Sequence, residues 1–219
     1  SERCQSNSHY FKPIGNNKRR FVIDLHSLFI TPVFSINLAG YENLIEVIKN
    51  IQEKEPTSLE GKSTDGGWHS HDFLHEDKQF AKLKAEIIEM TKETMNHLSI
   101  IDQIVPVITG MWAVVNGPGS SNRLHSHPYN NISGVFYLQV PEDSGALVFH
   151  DPRPQSEVLA PPKKPGESIH TSSRVSWKPK QNDILFFPSW LTHEVEKNNS
   201  QKERIVISFN IELKRRNNG

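Results

Sequence analysis

Two histidines separated by one residue, His125 and His127, offer imidazole nitrogens that could bind a metal ion. They stand in RLHSHPYNNISGVFYL (123–138), directly ahead of a run that is typical of a β-strand. In a strand, residues i and i+2 project to the same face, so both imidazoles could meet a single metal ion. The pair alone indicates a metal only weakly, because polar residues of this kind also occur in turns that lead into a sheet.

A second group, His193 and Arg204, flanks the turn before the final apolar run, RIVISFNI (204–211). A cation that opens an apolar strand is costly to bury unless it meets an anion, and the planar guanidinium suits a carboxylate. The alternative is an edge arginine paired with Glu194 or Glu203. The histidines and the arginine together favour three protein ligands with open positions beside a carboxylate anchor, the arrangement that a non-haem Fe(II) oxygenase needs.

The other dense group of histidines, His69, His71 and His75, lies in GGWHSHDFLH (66–75). A zinc site is conceivable there, but no cysteine joins them and their spacing matches no closed structural zinc site. We interpret them as loop polarity around a packed Trp68.

The elements that must position these residues follow two patterns of hydrophobic spacing. Apolar residues recur at helical spacing over 41–53, and a second amphipathic helix is predicted over about 77–98. After residue 99 the chain consists of short β-rich runs separated by Pro, Gly, Asn and Ser turns, which predicts an antiparallel sandwich or jelly-roll barrel. The runs are 105–116, 132–140, 145–150, 174–179, 183–188 and 204–213.

Three further stretches have weaker patterns. Residues 1–20 are polar without periodicity, which predicts a flexible arm. Residues 21–38 are apolar and β-branched, which indicates short strands bent at Pro32. The Pro-rich stretch 151–173 predicts a long loop, of the kind that forms a lid.

The amino-acid composition limits the classes of binding partner and the cellular compartment that we expect. The 219 residues include 25 Lys+Arg and 25 Asp+Glu, so the balanced charge favours neither nucleic acid nor an anionic membrane as a partner. The single cysteine excludes an internal disulfide framework and favours a reducing, cytoplasmic compartment. No apolar run approaches the ~18 residues of a spanning helix. Because the chain starts at Ser1, an upstream targeting segment is left open.

Three stretches resemble the 2-oxoglutarate- and Fe(II)-dependent oxygenases, in particular the prolyl-hydroxylase-like branch and a group of small bacterial and phage proteins within it. They are GGWHSHDFLH (66–75), MWAVVNGPGSSNRLHSHPYNNISGVFYLQVPEDSGALVFHDPRP (111–154) and ILFFPSWLTHEVEKNNSQKERIVISFN (184–210). The last is the most specific, and the resemblance covers most of residues 21–213.

This resemblance implies a double-stranded β-helix, the jelly-roll that holds iron in these enzymes, with helices from the amino-terminal half packed on one sheet. It implies a single domain over 21–213, with helical support from 41–98 and a β-core from 105–213. The implied cofactors are Fe(II), 2-oxoglutarate as cosubstrate and O2. The implied reaction is hydroxylation of a small-molecule or peptidyl substrate with release of succinate and CO2.

The residues that carry these roles are also implied by the resemblance. His125 matches the first iron ligand and His193 the distal one, and Arg204 matches the residue that binds the distal carboxylate of 2-oxoglutarate. Further cosubstrate contacts are implied for Ser208, Tyr137 and Asn116. Loops that could border the mouth of the barrel carry two substrate candidates, Trp68 and Arg153.

The chain departs from the family pattern at one position, since His127 stands where an aspartate is usual. Three outcomes follow: a three-histidine iron site, which we favour, a two-histidine site with His127 turned away, or a degenerate site without turnover. Asp151 is a candidate substitute carboxylate, although its turn is read more simply as structural.

Two other functions are left open. One is a three-histidine, cupin-type dioxygenase without 2-oxoglutarate, against which Arg204 and Ser208 on the terminal strand argue. The other is an inactive jelly-roll module that binds a metal or an acidic ligand, for which the His127 departure is the best support.

Overall fold

The computed structural model describes residues 24–158, 160–162 and 171–216, apart from the side chain of Glu157. The arm predicted over 1–20 lies outside the described residues. The chain divides into two units, Ser1–Thr31 and Pro32–Gly219. In the first unit, the described residues 24–31 form neither helix nor strand, and every element named below belongs to the second.

Both predicted helices are present, with slightly different bounds. Helix α1 spans Asn43–Lys54 and α2 spans Ala81–His97. The predicted start of the second helix is instead a 3₁₀ turn, Lys78–Phe80, and the carboxylate of Asp77 accepts the backbone N–H of Gln79 at 2.8 Å. A third helix, α3 (Gln155–Val158), lies inside the predicted long loop. Among the described residues, no helix is both long and apolar enough to cross a membrane.

Eleven strands of the described chain form two antiparallel sheets. In chain order they are β1 (Phe34–Asn37), β2 (Thr64–Asp65), β3 (Trp68–His69), β4 (Ile104–Asn116), β5 (Ser121–His125), β6 (Ile132–Gln139), β7 (Leu147–His150), β8 (Arg174–Trp177), β9 (Asp183–Pro188), β10 (His193–Val195) and β11 (Arg204–Arg215). The major sheet has the order β1-β9-β6-β11-β4-β3 and the minor sheet the order β2-β5-β10-β7-β8. The mainly β fold with flanking helices is therefore confirmed, and it is a double-stranded β-helix.

Strand β11 shows why the major sheet has two different faces. Its odd-numbered residues from Ile205 to Ile211 are fully buried in a core that includes Leu44 and Ile48 of α1 and Leu83 of α2. Its even-numbered residues from 204 to 210 line a cavity between the two sheets. Period-2 alternation thus separates the packing side of the strand from the side that carries the polar residues.

Close packing of the helix-side core depends on one glycine. Gly134 of β6 lies opposite Phe209 of β11, and a Cβ at this position would come within 2.2 Å of the Phe209 ring. The absence of a side chain therefore makes room for Phe209, which also packs edge-on against Phe186. This contact fixes the register of β11, and with it the residues on the cavity side.

Some strands differ from the predictions. Residues 24–33 form no strand, so in the described part of the stretch 21–38 the prediction is correct only for Phe34–Asn37, and residues 21–23 lie outside the described residues. Four short strands, β2, β3, β5 and β10, were not predicted. The sequence of β5, SNRLH, is polar and lacks the β-branched residues of an autonomous strand, and it is extended because it pairs with β10 on one side and β2 on the other.

Candidate metal centre

Three histidines converge at one end of the minor sheet. His125 ends β5 and His193 begins β10, and the two are direct partners in the antiparallel register. Their ring centroids are 4.3 Å apart, and the ring of His127 lies 4.9 Å from that of His125 and 5.2 Å from that of His193. One nitrogen of each ring lies within 4.8 Å of the other two. Within the described residues this is the cluster suited to a metal, and His69, His71 and His75 are not part of it.

The backbone fixes the tautomer of two of the three rings. The Nδ1 of His125 lies 2.7 Å from the carbonyl oxygen of Arg123, and the Nδ1 of His193 lies 2.8 Å from that of Leu191. A carbonyl oxygen only accepts, so each Nδ1 donates a proton and each neutral ring keeps a lone pair on Nε2. Both rings are therefore prepared to bind a metal through Nε2.

His127 is held differently from the other two. Because β5 ends at His125, strand alternation does not determine the direction of the His127 side chain. The prediction that alternation points both imidazoles to one face is therefore wrong in this detail. Instead its backbone N–H donates to the carbonyl of Ser189 at 2.9 Å. Its Nδ1 faces the side-chain Nδ2 of Asn210 at 3.5 Å, and its ring lies 5.8 Å from that of Trp112.

Burial keeps these imidazoles uncharged. Removal from water, together with the repulsion between the rings, lowers the pKa of His127 to about 3 and that of His193 to about 4. Burial also lowers the pKa of His125, which the hydrogen bond to Arg123 partly offsets. At neutral pH all three rings are therefore in the neutral form that a metal ion requires.

Arg204 is buried in the same cavity and carries an unused donor. The residue is 2% exposed and lies opposite Asn116 in the register of β11 and β4. Its Nη1 donates to the carbonyls of Ser144 and Gly145, whereas its buried Nη2 has no hydrogen-bond partner among the described residues. Burial lowers the pKa of this guanidinium from its ordinary value. An unpaired donor on a buried cation is costly, so the side chain is suited to an anion from outside the chain.

The glutamates proposed as alternative partners of Arg204 are both engaged elsewhere. Glu194 bonds to Arg174 at 2.6 Å and to His150 at 3.2 Å, and Glu203 pairs with Lys49 at 3.1 Å. The interpretation of Arg204 as an edge arginine paired with either glutamate is therefore wrong.

A cavity of about 860 Å³ brings the predicted metal and cosubstrate residues together. Of these, Asn116 is 1% exposed; its Nδ2 donates to Asn122 at 2.9 Å, and its Oδ1 has no hydrogen-bond partner in the described part of the chain. Tyr137 is also buried, which raises the pKa of its phenol well above the ordinary value. The predicted residues that line the cavity are His125, His127, His193, Arg204, Ser208, Tyr137 and Asn116.

The two substrate candidates, Trp68 and Arg153, do not line this cavity. Trp68 is 5% exposed in the helix-side core, where its indole N–H donates to the carbonyl of Glu55 at 2.8 Å. Arg153 is exposed and bonds to both carboxylate oxygens of Asp151, at 2.9 and 3.0 Å. Asp151 is thereby engaged outside the histidine cluster, and Arg153 lowers the pKa of its carboxyl to about 2.

Several cavity residues were not assigned a role from the sequence. They include Trp112 on β4, which stacks on His69, and Asn210 on β11. At the mouth, Lys62 pairs with Asp72, and Tyr129 is 98% exposed. Alternation along β11 puts Asn210 on the cavity face, but nothing in the sequence indicates its contact with His127.

Comparisons with known proteins agree with this geometry. Residues 110–210 match the family model described as a putative 2OG-Fe(II) oxygenase. No curated protein matches the chain in sequence. Similar solved structures include a prolyl-4-hydroxylase from Pseudomonas putida, with 13% identity, a TM-score of 0.59, and 83% of this chain and 92% of that one covered.

Two further similar structures belong to proteins with other printed names. One is the non-haem α-ketoglutarate-dependent epimerase SnoN of nogalamycin biosynthesis, with 14% identity, a TM-score of 0.59, and 83% and 76% of the two chains covered. The other is HygX from Streptomyces hygroscopicus with nickel and 2-oxoglutarate bound, with 14% identity, a TM-score of 0.56, and 83% of each chain covered. At these identities the likeness is one of fold.

Proposed function

We propose that this chain, which belongs to the 2-oxoglutarate- and Fe(II)-dependent oxygenase superfamily, hydroxylates an organic substrate with release of succinate and CO2. The observation that carries the proposal is the combination of converging imidazoles with a buried arginine in one cavity. The unused Nη2 of Arg204 marks a place for a carboxylate, and the Nε2 atoms of His125 and His193 mark a place for a metal.

The residues fit the metal in their chemistry. Neutral imidazole suits divalent iron, and a three-nitrogen donor set on one side leaves open positions for ligands other than the protein. We propose His125, His193 and His127 as the three ligands. Fe(II), when bound, supplies the dioxygen chemistry that couples decarboxylation of 2-oxoglutarate to oxidation of a substrate.

The residues also fit the cosubstrate. We propose that Arg204 binds the distal carboxylate through its free Nη2, since a charge-assisted hydrogen bond there would satisfy the buried donor. Asn116 lies opposite Arg204 on β4, and its Nδ2 uses one of its two N–H groups on Asn122, so we propose that the other donates to the same carboxylate. Tyr137 and Ser208 would complete the walls of this end of the cavity.

Hydroxylation is the finer part of the proposal. The structural likeness includes both a prolyl-4-hydroxylase and an epimerase, so the fold accommodates more than one outcome of substrate oxidation. The likeness to the hydroxylase covers 92% of that chain, and for this reason we propose hydroxylation.

A cupin-type dioxygenase without 2-oxoglutarate is the second candidate. An enzyme of that type holds its metal with three histidines, and among the described residues of this chain no carboxylate joins the histidine cluster. The two candidates differ in product. The Fe(II)-loaded protein should convert 2-oxoglutarate to succinate in the presence of O2, even slowly without substrate, as measured by mass spectrometry. Oxygen consumption without succinate would favour the cupin-type reaction, and neither signal would favour an inactive binding module.

We further propose an organic substrate, either a small molecule or a peptidyl side chain, rather than nucleic acid or membrane lipid. The formal charge of the chain is zero, which gives no electrostatic reason for a polyanionic partner. The single cysteine supports a reducing, cytoplasmic compartment.

A further inference from the structure

We infer that Asn210 is a positioning residue for His127, and that its side-chain amide decides which nitrogen of that imidazole is free to bind the metal. The inference rests on the proposed function, because it concerns a ligand of the same site. It starts from a difference among the three histidines. His125 and His193 each donate from Nδ1 to a backbone carbonyl, whereas the Nδ1 of His127 faces an amide that can present either a donor or an acceptor.

Asn210 belongs to a polar chain that runs from the partly buried ring of His127 to two buried serines in the sheet. Its Oδ1 accepts from the hydroxyl of Ser133 at 2.8 Å, and that hydroxyl lies 2.8 Å from the hydroxyl of Ser189. Ser133 is 1% exposed and Ser189 is fully buried. Ser189 also accepts the backbone N–H of His127, so the same residue supports both the main chain of His127 and the hydrogen-bond chain that reaches its ring.

The hydrogen bonds that link His127, Asn210, Ser133 and Ser189 can run in two directions. In the first, Ser189 donates to Ser133, Ser133 donates to Asn210 and the amide of Asn210 donates to Nδ1 of His127. The ring proton then lies on Nε2, so this nitrogen cannot bind a metal. In the second, the amide is turned, Nδ1–H of His127 donates to Oδ1, Nδ2 donates to Ser133, and Ser133 donates to Ser189. Each of the four side chains keeps a hydrogen-bond partner, and Nε2 of His127 carries a free lone pair.

The two hydroxyls are what make the reversal inexpensive, since each can exchange donor for acceptor by rotation. A backbone carbonyl could not do this. A bound metal at the histidine cluster therefore selects the second direction, and the amide in turn holds the ring for the metal. The need for such a residue follows from His127 itself, because a carboxylate at this position would bind a metal without any choice of tautomer.

The test measures Co(II) affinity by titration calorimetry and the visible absorption of the Co(II) complex in the wild type and in four variants: Asn210→Leu, Asn210→Asp, His127→Ala and the double variant of His127→Ala with Asn210→Leu. Asn210→Leu, which has a similar volume and no hydrogen-bonding group, should weaken Co(II) binding about 10- to 100-fold and change the absorption bands. Asn210→Asp, whose carboxylate only accepts, should bind Co(II) at least as tightly as the wild type. In a His127→Ala background, Asn210→Leu should cause no further loss, because its effect passes through the ring.

Three results would overturn the inference: wild-type affinity in Asn210→Leu, weaker binding in Asn210→Asp, or an equal loss in both backgrounds. If Asn210→Leu does not fold, as judged by circular dichroism, the comparison of Asn210→Asp with the wild type still decides. Suppose that the wild type binds Co(II) and forms succinate, and that Asn210→Leu weakens Co(II) binding equally in the wild-type and His127→Ala backgrounds. The inference about Asn210 would then be refuted and the proposed function would stand. A wild-type protein that binds no Co(II) would refute the proposed function with it.

Discussion

Replacement of Arg204 by alanine should abolish useful affinity for 2-oxoglutarate while the metal site stays intact. The guanidinium is 2% exposed, and its Nη2 has no partner within the described chain. Removal of one partner of a buried, hydrogen-bonded charge pair costs about 2–5 kcal/mol. At 1.4 kcal/mol per factor of ten, the dissociation constant of 2-oxoglutarate should rise about 30- to 4,000-fold.

The assay is titration of the Mn(II)-loaded protein with 2-oxoglutarate under nitrogen, followed by calorimetry. Mn(II) affinity should be unchanged, since Arg204 supplies no atom to the histidine cluster. Arg215→Ala is the matched control, because it makes the same substitution at the exposed far end of the same strand. Its affinity for 2-oxoglutarate should equal that of the wild type.

Stability needs a separate measurement, because Nη1 of Arg204 also serves two backbone carbonyls. Loss of those bonds should cost about 1–3 kcal/mol of unfolding free energy, partly offset by the removal of a buried charge. Chemical denaturation shows whether the variant is folded at the assay temperature. A folded Arg204→Ala protein with wild-type affinity for 2-oxoglutarate would refute the assignment of Arg204 as the anchor.

Three further predictions concern the metal, pH and the helix-side core. His193→Ala should weaken Mn(II) binding more than 100-fold, and unchanged Mn(II) calorimetry would exclude this ligand. Because folding lowers the pKa values of His127 and His193 to about 3 and 4, the unfolded chain binds more protons below pH ~6.5. The melting temperature of the metal-free protein should therefore fall as pH is lowered from 7 towards 4, and a flat profile would contradict the burial of these rings. Gly134→Ala should lower the unfolding free energy by about 1–3 kcal/mol, since its Cβ would meet the Phe209 ring, and an unchanged denaturation midpoint would contradict this packing.

The sequence by itself determined the elements that depend on local periodicity. Helices α1 and α2 could be predicted because Leu44, Ile48, Leu83 and Ile87 recur at helical spacing and bury one face. The cavity face of β11 could be predicted because alternation is a property of a strand taken alone. Alternation puts Arg204, Ser208 and Asn210 on one side of the strand, and all three line the cavity.

The contacts between residues that are distant in sequence could not be predicted from local patterns and depend on the tertiary structure. Strands β5 and β10 are short and polar, and they exist because each pairs with neighbours distant in sequence, which also sets His125 opposite His193. The fold also brings Lys49 to Glu203 and Arg174 to Glu194, so neither glutamate pairs with Arg204. Trp68, which the sequence offered both as a packed residue and as a substrate candidate, lies in the helix-side core and not in the cavity wall. Local spacing fixes the direction of a side chain along its own strand, but the contact that it makes depends on which distant residue the fold brings opposite to it.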